Sequence, residues 1–164
     1  SAYHKLLELL DFRQEYEENS LRKVIDSLRV EKKLSEDMAE CIRVEDVLHF
    51  LHCKAGRRMQ KAAQQSLLFK EQPFVLGVDA REVYPDTESD ETILVQGIID
   101  VFFEEDGELV LLDYKTDKVR TAQELKDKYH SQLDYYAQAL EQLLEKPVKE
   151  KIIYSFTLKE EIEV

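Results

Sequence analysis

Apolar residues recur at helical spacing through roughly the first sixty positions and at strand spacing after them. Tyr3, Leu6, Leu7 and Leu10 form one stripe, and Leu21, Val24, Ile25 and Leu28 form a second; each would bury one face of an amphipathic helix. Ser35 followed by Glu36 and Asp37, and the apolar-rich run from Val44 to Leu51, predict two further short helices. Gly56 is expected to separate these from a basic stretch, Arg57 to Lys61. From Leu67 the period falls to two, predicting strands over 67–69, 74–76, 80–84, 93–103 and 108–115, with a polar loop over 85–91. Leu125, Tyr129, Leu133, Tyr136, Ala137, Leu140 and Leu144 then predict a long helix. Thr121 is its expected N-cap, Glu124 completes a capping box, and Pro147 ends it. A last strand is predicted over 152–158. Helices, a run of strands, a long helix and a strand imply an α+β or mixed α/β fold in three layers. The expected organisation is a single domain over 1–164, with a helical insertion over 11–65 and a core over 66–158.

The two clearest strands are joined by Glu104-Glu105-Asp106-Gly107-Glu108. Asp-Gly is a two-residue hairpin signal, because both central residues of that turn need positive φ. With Asp106 and Gly107 at the centre, the register sets Asp100 directly opposite Asp113, with Cβ atoms about 5 Å apart. Side chains alternate along a strand, so Leu109, Leu111, Asp113 and Lys115 share one face. Asp100, Asp113 and Lys115 are thus expected to converge on one patch. Like charges facing across a ladder repel unless something neutralises them. A divalent cation does so, and Mg²⁺ commonly takes one or two carboxylates plus water and phosphate oxygens. Lys115 would then lie beside the metal's water or the attacked phosphate, where it could hold the nucleophile and offset developing charge. The commoner occurrence of Asp-x-Lys at a strand end is a surface ion pair. Spacing alone leaves both readings open.

Charge narrows the choice of partners. The chain has 164 residues, enough for one well-packed domain, and 35 acids against 23 Lys and Arg give a net charge of −12. That is the wrong sign for gripping nucleic acid by bulk electrostatics. A nucleic-acid role must rest on a local site, a metal, or delivery by a partner. Cys41 and Cys53 form no CxxC and no Cys/His cluster, which argues against a zinc finger, an iron–sulfur cluster or a disulfide framework and for reduced thiols in an intracellular, cytoplasmic protein. No apolar run reaches membrane-spanning length. The first residue is not Met and the helical pattern begins at once, so an excised part of a longer polypeptide is expected.

Three motifs now stand in order: Gly97-Ile98-Ile99-Asp100, Leu112-Asp113-Tyr114-Lys115-Thr116 and Gln132-Leu133-Asp134-Tyr135-Tyr136. They resemble the Gly-x-x-Asp, Asp-x-Lys and Gln-x-x-x-Tyr motifs of RecB-like nucleases in the PD-(D/E)XK superfamily. Ala2-Tyr3-His4 with Leu6-Leu7-Glu8 resembles that family's N-terminal histidine helix, lacking the Gly that usually opens the motif. Glu71-Gln72-Pro73-Phe74 resembles its Glu-x-Pro-Phe strand. The stretches EQPFVLGV and VQGIIDVFFEEDGELVLLDYKTDKV look especially like the C-terminal nuclease domain of AddA-type helicase–nucleases. The resemblance implies a restriction-endonuclease-like core, a central mixed sheet flanked by helices with a helical N-terminal insertion. It implies His4, Asp100 and Asp113 as ligands of Mg²⁺ or Mn²⁺, joined by the Tyr114 backbone carbonyl, and Lys115 as the catalytic lysine. Glu71 would orient water or metal, and Gln132 and Tyr136 would orient the DNA strand or the lysine. The implied activity is hydrolysis of phosphodiester bonds in single-stranded DNA during repair of double-strand breaks. The strand would be delivered by an ATP-driven helicase part of the same chain, with an AddB-type partner subunit. Other readings are a nuclease-fold docking or DNA-binding module without activity, and a stand-alone RecB-family exonuclease.

The remaining polar features read more simply. His49 and His52 are expected to be structural, and His130 to face solvent. Tyr129, Tyr135 and Tyr136 suggest a platform on which bases stack, with at least one of them in the core. Arg57, Arg58 and Lys61 read as a solvated face with phosphate contact as the alternative, and 104–108 as a soluble hairpin tip.

Overall fold

Alternation along one strand organises the molecule. In a computed structural model describing residues 1–164, the strand β3 (Glu108–Lys115) is buried on both faces from Leu109 to Tyr114. Val110, Leu112 and Tyr114 face a layer of five helices: α1 (Ala2–Leu9), α2 (Glu18–Val30), α3 (Glu36–Cys41), α4 (Val44–His52) and α5 (Lys54–Gln64). Leu109 and Leu111 face the opposite way. There they meet the long helix α7 (Ala122–Leu144), through its Leu125, Leu133, Ala137 and Leu140. Each of these leucines, fully buried, contributes on the order of 1.5–3 kcal/mol. The three layers anticipated from the pattern are present.

The sheet has five strands in the order β1-β2-β3-β4-β5, where β1 is Leu68–Asp79, β2 Thr92–Glu105, β4 Val148–Ser155 and β5 Glu160–Glu163. Neighbours are antiparallel except β3 and β4, which are parallel and joined across the sheet by α7. Asp106 and Gly107 take φ of 53° and 81°, as an Asp-Gly hairpin turn requires. The β2–β3 register is the expected one, from Glu105 opposite Glu108 to Val101 opposite Leu112.

Several sequence expectations need correction. The segments 67–69 and 74–76 belong to one long strand, β1. The segment 80–84 is no strand: Asp79 caps a single helical turn, α6 (Ala80–Val83), by accepting a hydrogen bond from Arg81 N. Gly56 does not separate helices but lies inside α5. A Cβ there would sit 2.2 Å from Phe50 O and 2.6 Å from Leu51 O, so glycine permits the tight α4–α5 corner. The helical pattern starts cleanly, with the Ser1 hydroxyl accepting from His4 N at the start of α1. Thr121 caps α7 by accepting from Glu124 N, and the helix ends at Leu144 with Glu145 left-handed, ahead of Pro147. The last predicted strand, 152–158, falls within β4 only as far as Ser155; the chain turns after it, and a further strand, β5, follows.

Arg58 and the base of the hairpin are tied down, while Arg57, Lys61 and the Asp106-Gly107 tip are exposed. Arg58 lies between Glu105, at 2.9 Å, and Glu150, with its side chain only 15% exposed. Lys149 adds a contact of 3.0 Å to Glu105, and Lys146 pairs with Glu104 at 2.8 Å. Arg58 thus fastens α5 to β2 and β4, rather than facing solvent or phosphate. It holds the Glu105 carboxyl at about 2 against an ordinary 4.5. A depressed carboxyl contributes stability that is present above the unfolded value and fades as pH falls from about 4.5 toward about 2. Arg58→Ala is expected to cost about 2–3 kcal/mol in urea unfolding at neutral pH, as two half-buried acids lose their partner. The same variant should flatten the acid limb of the stability curve across that window.

Candidate active site

Both strands of the β1–β2 ribbon turn over at one point. On β1, Leu68 packs against the helical-layer core and Lys70 reaches Leu10 O, but Phe74, Leu76 and Val78 face α7. On β2, Val101 and Phe103 face the helical layer while Ile99 faces α7. The residues at the crossover are Glu71, with left-handed φ of 52°, and Asp100, the two that are skipped in an otherwise continuous register. A residue with positive φ breaks the alternation, and the ribbon's other face comes round. This crossover, the end of β3, the start of α1 and the middle of α7 meet at one corner.

Asp100 does not pair with Asp113 across the ladder as the hairpin arithmetic implied. The ladder stops at Val101 and Leu112, and Asp100 Oδ2 instead accepts from Tyr114 N at 3.0 Å. The two acids still adjoin, close enough for the charge on each to act on the other. His4 Nε2 stands 3.2 Å from Asp100 Oδ2, and His4 Nδ1 lies 2.7 Å from the Ser1 hydroxyl. On the other side Lys115 Nζ lies 2.8 Å from Asp113 Oδ2 and donates to Gln132 Oε1 at 3.0 Å. His4, Asp100, Asp113, Lys115 and Gln132 thus form one unbroken line of contacts.

Burial sets the electrostatics of that line. Asp113 is 3% exposed, and burial pushes its carboxyl well above the usual range, aided by the charge on Asp100 and opposed by Lys115. For Asp100 burial acts upward too, but the donors His4, Asp113 and the Tyr114 N–H outweigh it and lower its pKa. Burial and the charge on its neighbour thus push Asp113 up, while its donors hold Asp100 down. Donation from its ring to Asp100, working against burial, raises His4. Glu71 is also raised, by burial and then by the charges of Asp100 and Glu8, but it makes no hydrogen bond here. It faces the site without joining the contact line.

Tyr136 sits four residues after Gln132 and packs edge-on against Phe74, with ring centroids 5.2 Å apart. A Cβ on Gly97 would lie 3.1 Å from the Phe74 ring and 3.7 Å from Tyr136, so three motif residues fit because one lacks a side chain. Burial and the nearby charges of Asp113 and Asp100 push the Tyr136 hydroxyl up to about 12. Tyr114 directs its ring into the helical-layer core, edge-on to Phe50 at 5.4 Å, while its peptide N–H fixes Asp100.

No three His, Cys, Asp or Glu side chains close into a ready-made cage. The donors nevertheless suit a hard divalent cation. Two carboxyl groups adjoin in a buried corner, and an imidazole stands 3.2 Å from one of them. Asp113 Oδ2 is buried with no hydrogen-bond partner, although Lys115 Nζ lies 2.8 Å away as an ion pair. A cation would neutralise the mutual repulsion of the two acids and give the orphaned oxygen a partner.

Residues 1–163 match the family model of the PD-(D/E)XK nuclease superfamily. The chain belongs to this superfamily. Among its curated relatives, an ATP-dependent helicase/nuclease subunit of Lachnoclostridium phytofermentans is 37% identical over 199 positions, covering 100% of the chain. The equivalent helicase/nuclease subunits of Clostridium kluyveri and Bacillus licheniformis, which carry the same name, are each 34% identical and cover 94% and 95% of it. The chain spans only 14%, 13% and 13% of the lengths of these three relatives. The RecB-like motifs of the superfamily are those that meet at the corner just described.

Other polar groups sort themselves by contact. His49 Nε2 and His52 Nε2 lie 3.1 Å from the carbonyls of Lys159 and Tyr16, in keeping with structural roles. His130 is exposed and bonds within its own helix. The three tyrosines form no bare platform, for Tyr129, Tyr135 and Tyr136 all pack against the α7-side core. The sequence offered Tyr129 only as part of a base-stacking platform; its contact with Lys115 was signalled by its spacing, three residues before Gln132. Gly97→Ala is expected to cost about 1–2 kcal/mol through overlap with Phe74. In a double-mutant cycle read by chemical denaturation, Phe74→Leu should cost less in the Gly97→Ala background than alone.

Proposed function

We propose that this chain is a metal-dependent deoxyribonuclease domain that hydrolyses phosphodiester bonds of single-stranded DNA. What carries the reading is the contact line from His4 through Asp100 and Asp113 to Lys115 and Gln132, running through the family's motifs in a corner where two acids adjoin and burial pushes one of them up. His4, Asp100 and Asp113 would hold Mg²⁺ or Mn²⁺, with the Tyr114 carbonyl as a further oxygen donor. When bound, such a cation lowers the pKa of a coordinated water and polarises a phosphate oxygen.

The chain's own residues then divide the work. Lys115 offers an ammonium that does not have to travel: Asp113 and Gln132 hold it in place. It would position the attacking water and stabilise charge gathering on the phosphate oxygens, a preorganised charge that costs no reorganisation at the moment of reaction. Glu71, raised and unbonded at the ribbon's crossover, could orient a water on the side of the site opposite Lys115. Gln132 and Tyr136, one helical turn apart, would fix the lysine and guide the strand.

The names of the relatives supply the wider setting. In an ATP-dependent helicase/nuclease, a motor in the same polypeptide would deliver an unwound strand, with ATP consumed there and not in this domain. Break-end processing with an AddB-type partner subunit inside a bacterial cell follows as the expected context. Delivery also accounts for a nuclease of net charge −12, which need not capture DNA unaided.

A second reading follows from His4, whose Nε2 is engaged by Asp100. The domain could be a nuclease-fold docking module that does not cut. Digestion of a single-stranded oligonucleotide with Mg²⁺ or Mn²⁺ is expected to fall by ~100-fold or more in Lys115→Ala and in Asp113→Ala. Undiminished cleavage in either variant would sink the nuclease assignment. Titration calorimetry should detect Mg²⁺ or Mn²⁺ binding that Asp113→Ala abolishes; no binding and no cleavage would favour the docking module.

A further inference from the structure

The Lys115 ammonium has a third neighbour that no motif reading assigns. The ring of Tyr129 lies beneath it, with Nζ 3.8 Å from the ring centroid. An ammonium has three donors to satisfy. Gln132 Oε1 accepts from one of them at 3.0 Å, Asp113 Oδ2 stands 2.8 Å away as an ion pair, and the ring face covers a further side. A lysine side chain carries four rotatable bonds, and two contacts leave its tip room to swing. A flat, electron-rich face on a rigid helix removes that room, and the attraction strengthens where water is excluded. The Lys115 side chain is 14% exposed.

The ring is itself held. Tyr129 donates its hydroxyl hydrogen to Asp117 Oδ2 at 2.7 Å, and Lys128 Nζ donates to the same oxygen at 2.8 Å. Asp117 follows Lys115 by two residues in the segment leaving β3, whereas Tyr129 and Lys128 stand on α7. The Tyr129–Asp117 bond therefore ties the end of β3 to α7 directly across the lysine. Lys128 is well exposed, and its pair alone would contribute little. The tyrosine, half-buried against the α7-side core, is the fixed part.

We infer that Tyr129 is a positioning residue whose ring aims the Lys115 ammonium at the reacting phosphate, and that Asp117 holds the ring in place through its hydroxyl. The inference rests on the reading of Lys115 as the catalytic lysine. It also replaces the expectation that Tyr129 stacks on a base, because the ring face toward the site is already taken.

The test uses the full-length protein with Mg²⁺ and a single-stranded oligonucleotide. Tyr129→Leu is expected to lower kcat by about ten- to thirtyfold with KM within about twofold of wild type. Tyr129→Phe, which keeps the ring and loses the bond to Asp117, should recover most of that loss, and Asp117→Asn should match Tyr129→Phe. A base-stacking tyrosine would give the reverse split, with KM rising and kcat unchanged, and that result would overturn the inference. A second readout needs neither metal nor DNA: labelling of the metal-free protein with an amine-reactive reagent, followed by residue-resolved mass spectrometry. Lys115 should label faster in Tyr129→Leu than in wild type or Tyr129→Phe, while Lys128 in Tyr129→Phe serves as the exposed reference. Equal Lys115 labelling in Tyr129→Leu and wild type would also overturn it. If Tyr129→Leu fails to fold, Tyr129→Met, which also removes the ring, takes its place in both readouts. Lys115→Ala separates the two claims: full cleavage there refutes the catalytic lysine, whereas the labelling still reports on the ring contact.

Discussion

Everything at the site depends on β3 being buried on both faces. A strand covered by helices on one side and by α7 on the other carries its last residues into the same dry interior. Asp113 is thus desolvated by the packing of Leu109, Leu111, Leu112 and Tyr114, not by a special pocket. An isolated carboxylate could not stay charged there. Its pKa rises, pushed further by the charge on Asp100, and the lysine two residues on pairs with it. The hydrophobic pattern of VLLDYK and the chemistry of its charged end are one constraint. The apolar residues fix the strand, and the strand forces its polar residues to find partners.

The second acid arrives by a different device. Asp100 lies where β1 and β2 turn over, opposite a Glu71 whose positive φ an ordinary residue adopts only at some energetic cost. Without that crossover the strand residues beyond Asp100 would present their other faces, and the apolar row Phe74, Leu76, Val78 would face away from α7. The same break that brings the ribbon's far half onto α7 frees Asp100 from the ladder, so that it can accept from Tyr114 N and from His4. Local strain at this corner is offset by two apolar contacts that continue on either side of it.

Much of this was legible in the sequence, for reasons that differ by residue. The Asp-Gly turn fixed the β2–β3 register, and the period of two then set Asp113 and Lys115 on one face with Leu109 and Leu111. Motif order brought in His4, Gln132 and Tyr136, which lie far apart along the chain. What local rules missed were effects of close approach. Gly56 reads as punctuation because glycine usually marks a turn, yet here it lets α5 pass within reach of two α4 carbonyls. Arg58 reads as solvent-exposed because its partners, Glu105 and Glu150, come from two distant strands. The segment 80–84 alternates like a strand, but the Asp79 side chain favours a helical turn over another extended residue. The crossover at Glu71 has no sequence mark of its own, since neither Gly nor Pro occupies it.

The motifs also turn out to have two kinds of member. His4, Asp100, Asp113, Lys115 and Gln132 touch one another through polar atoms. Gly97, Phe74 and Tyr136 touch through carbon, and their fit sets how near α7 comes to the β1–β2 ribbon. The distance between Lys115 and Gln132 is a consequence of that approach, because Gln132 rides on the same helix one turn before Tyr136. A glycine several residues from the nearest acid can therefore govern the geometry of a lysine it never meets. Tyr129 extends the same logic to the other side of Gln132, and α7 offers three successive side chains, one to pack, one to accept a hydrogen bond and one to cover the charge. On this view the helix is as much a part of the site as the strand that bears the acids.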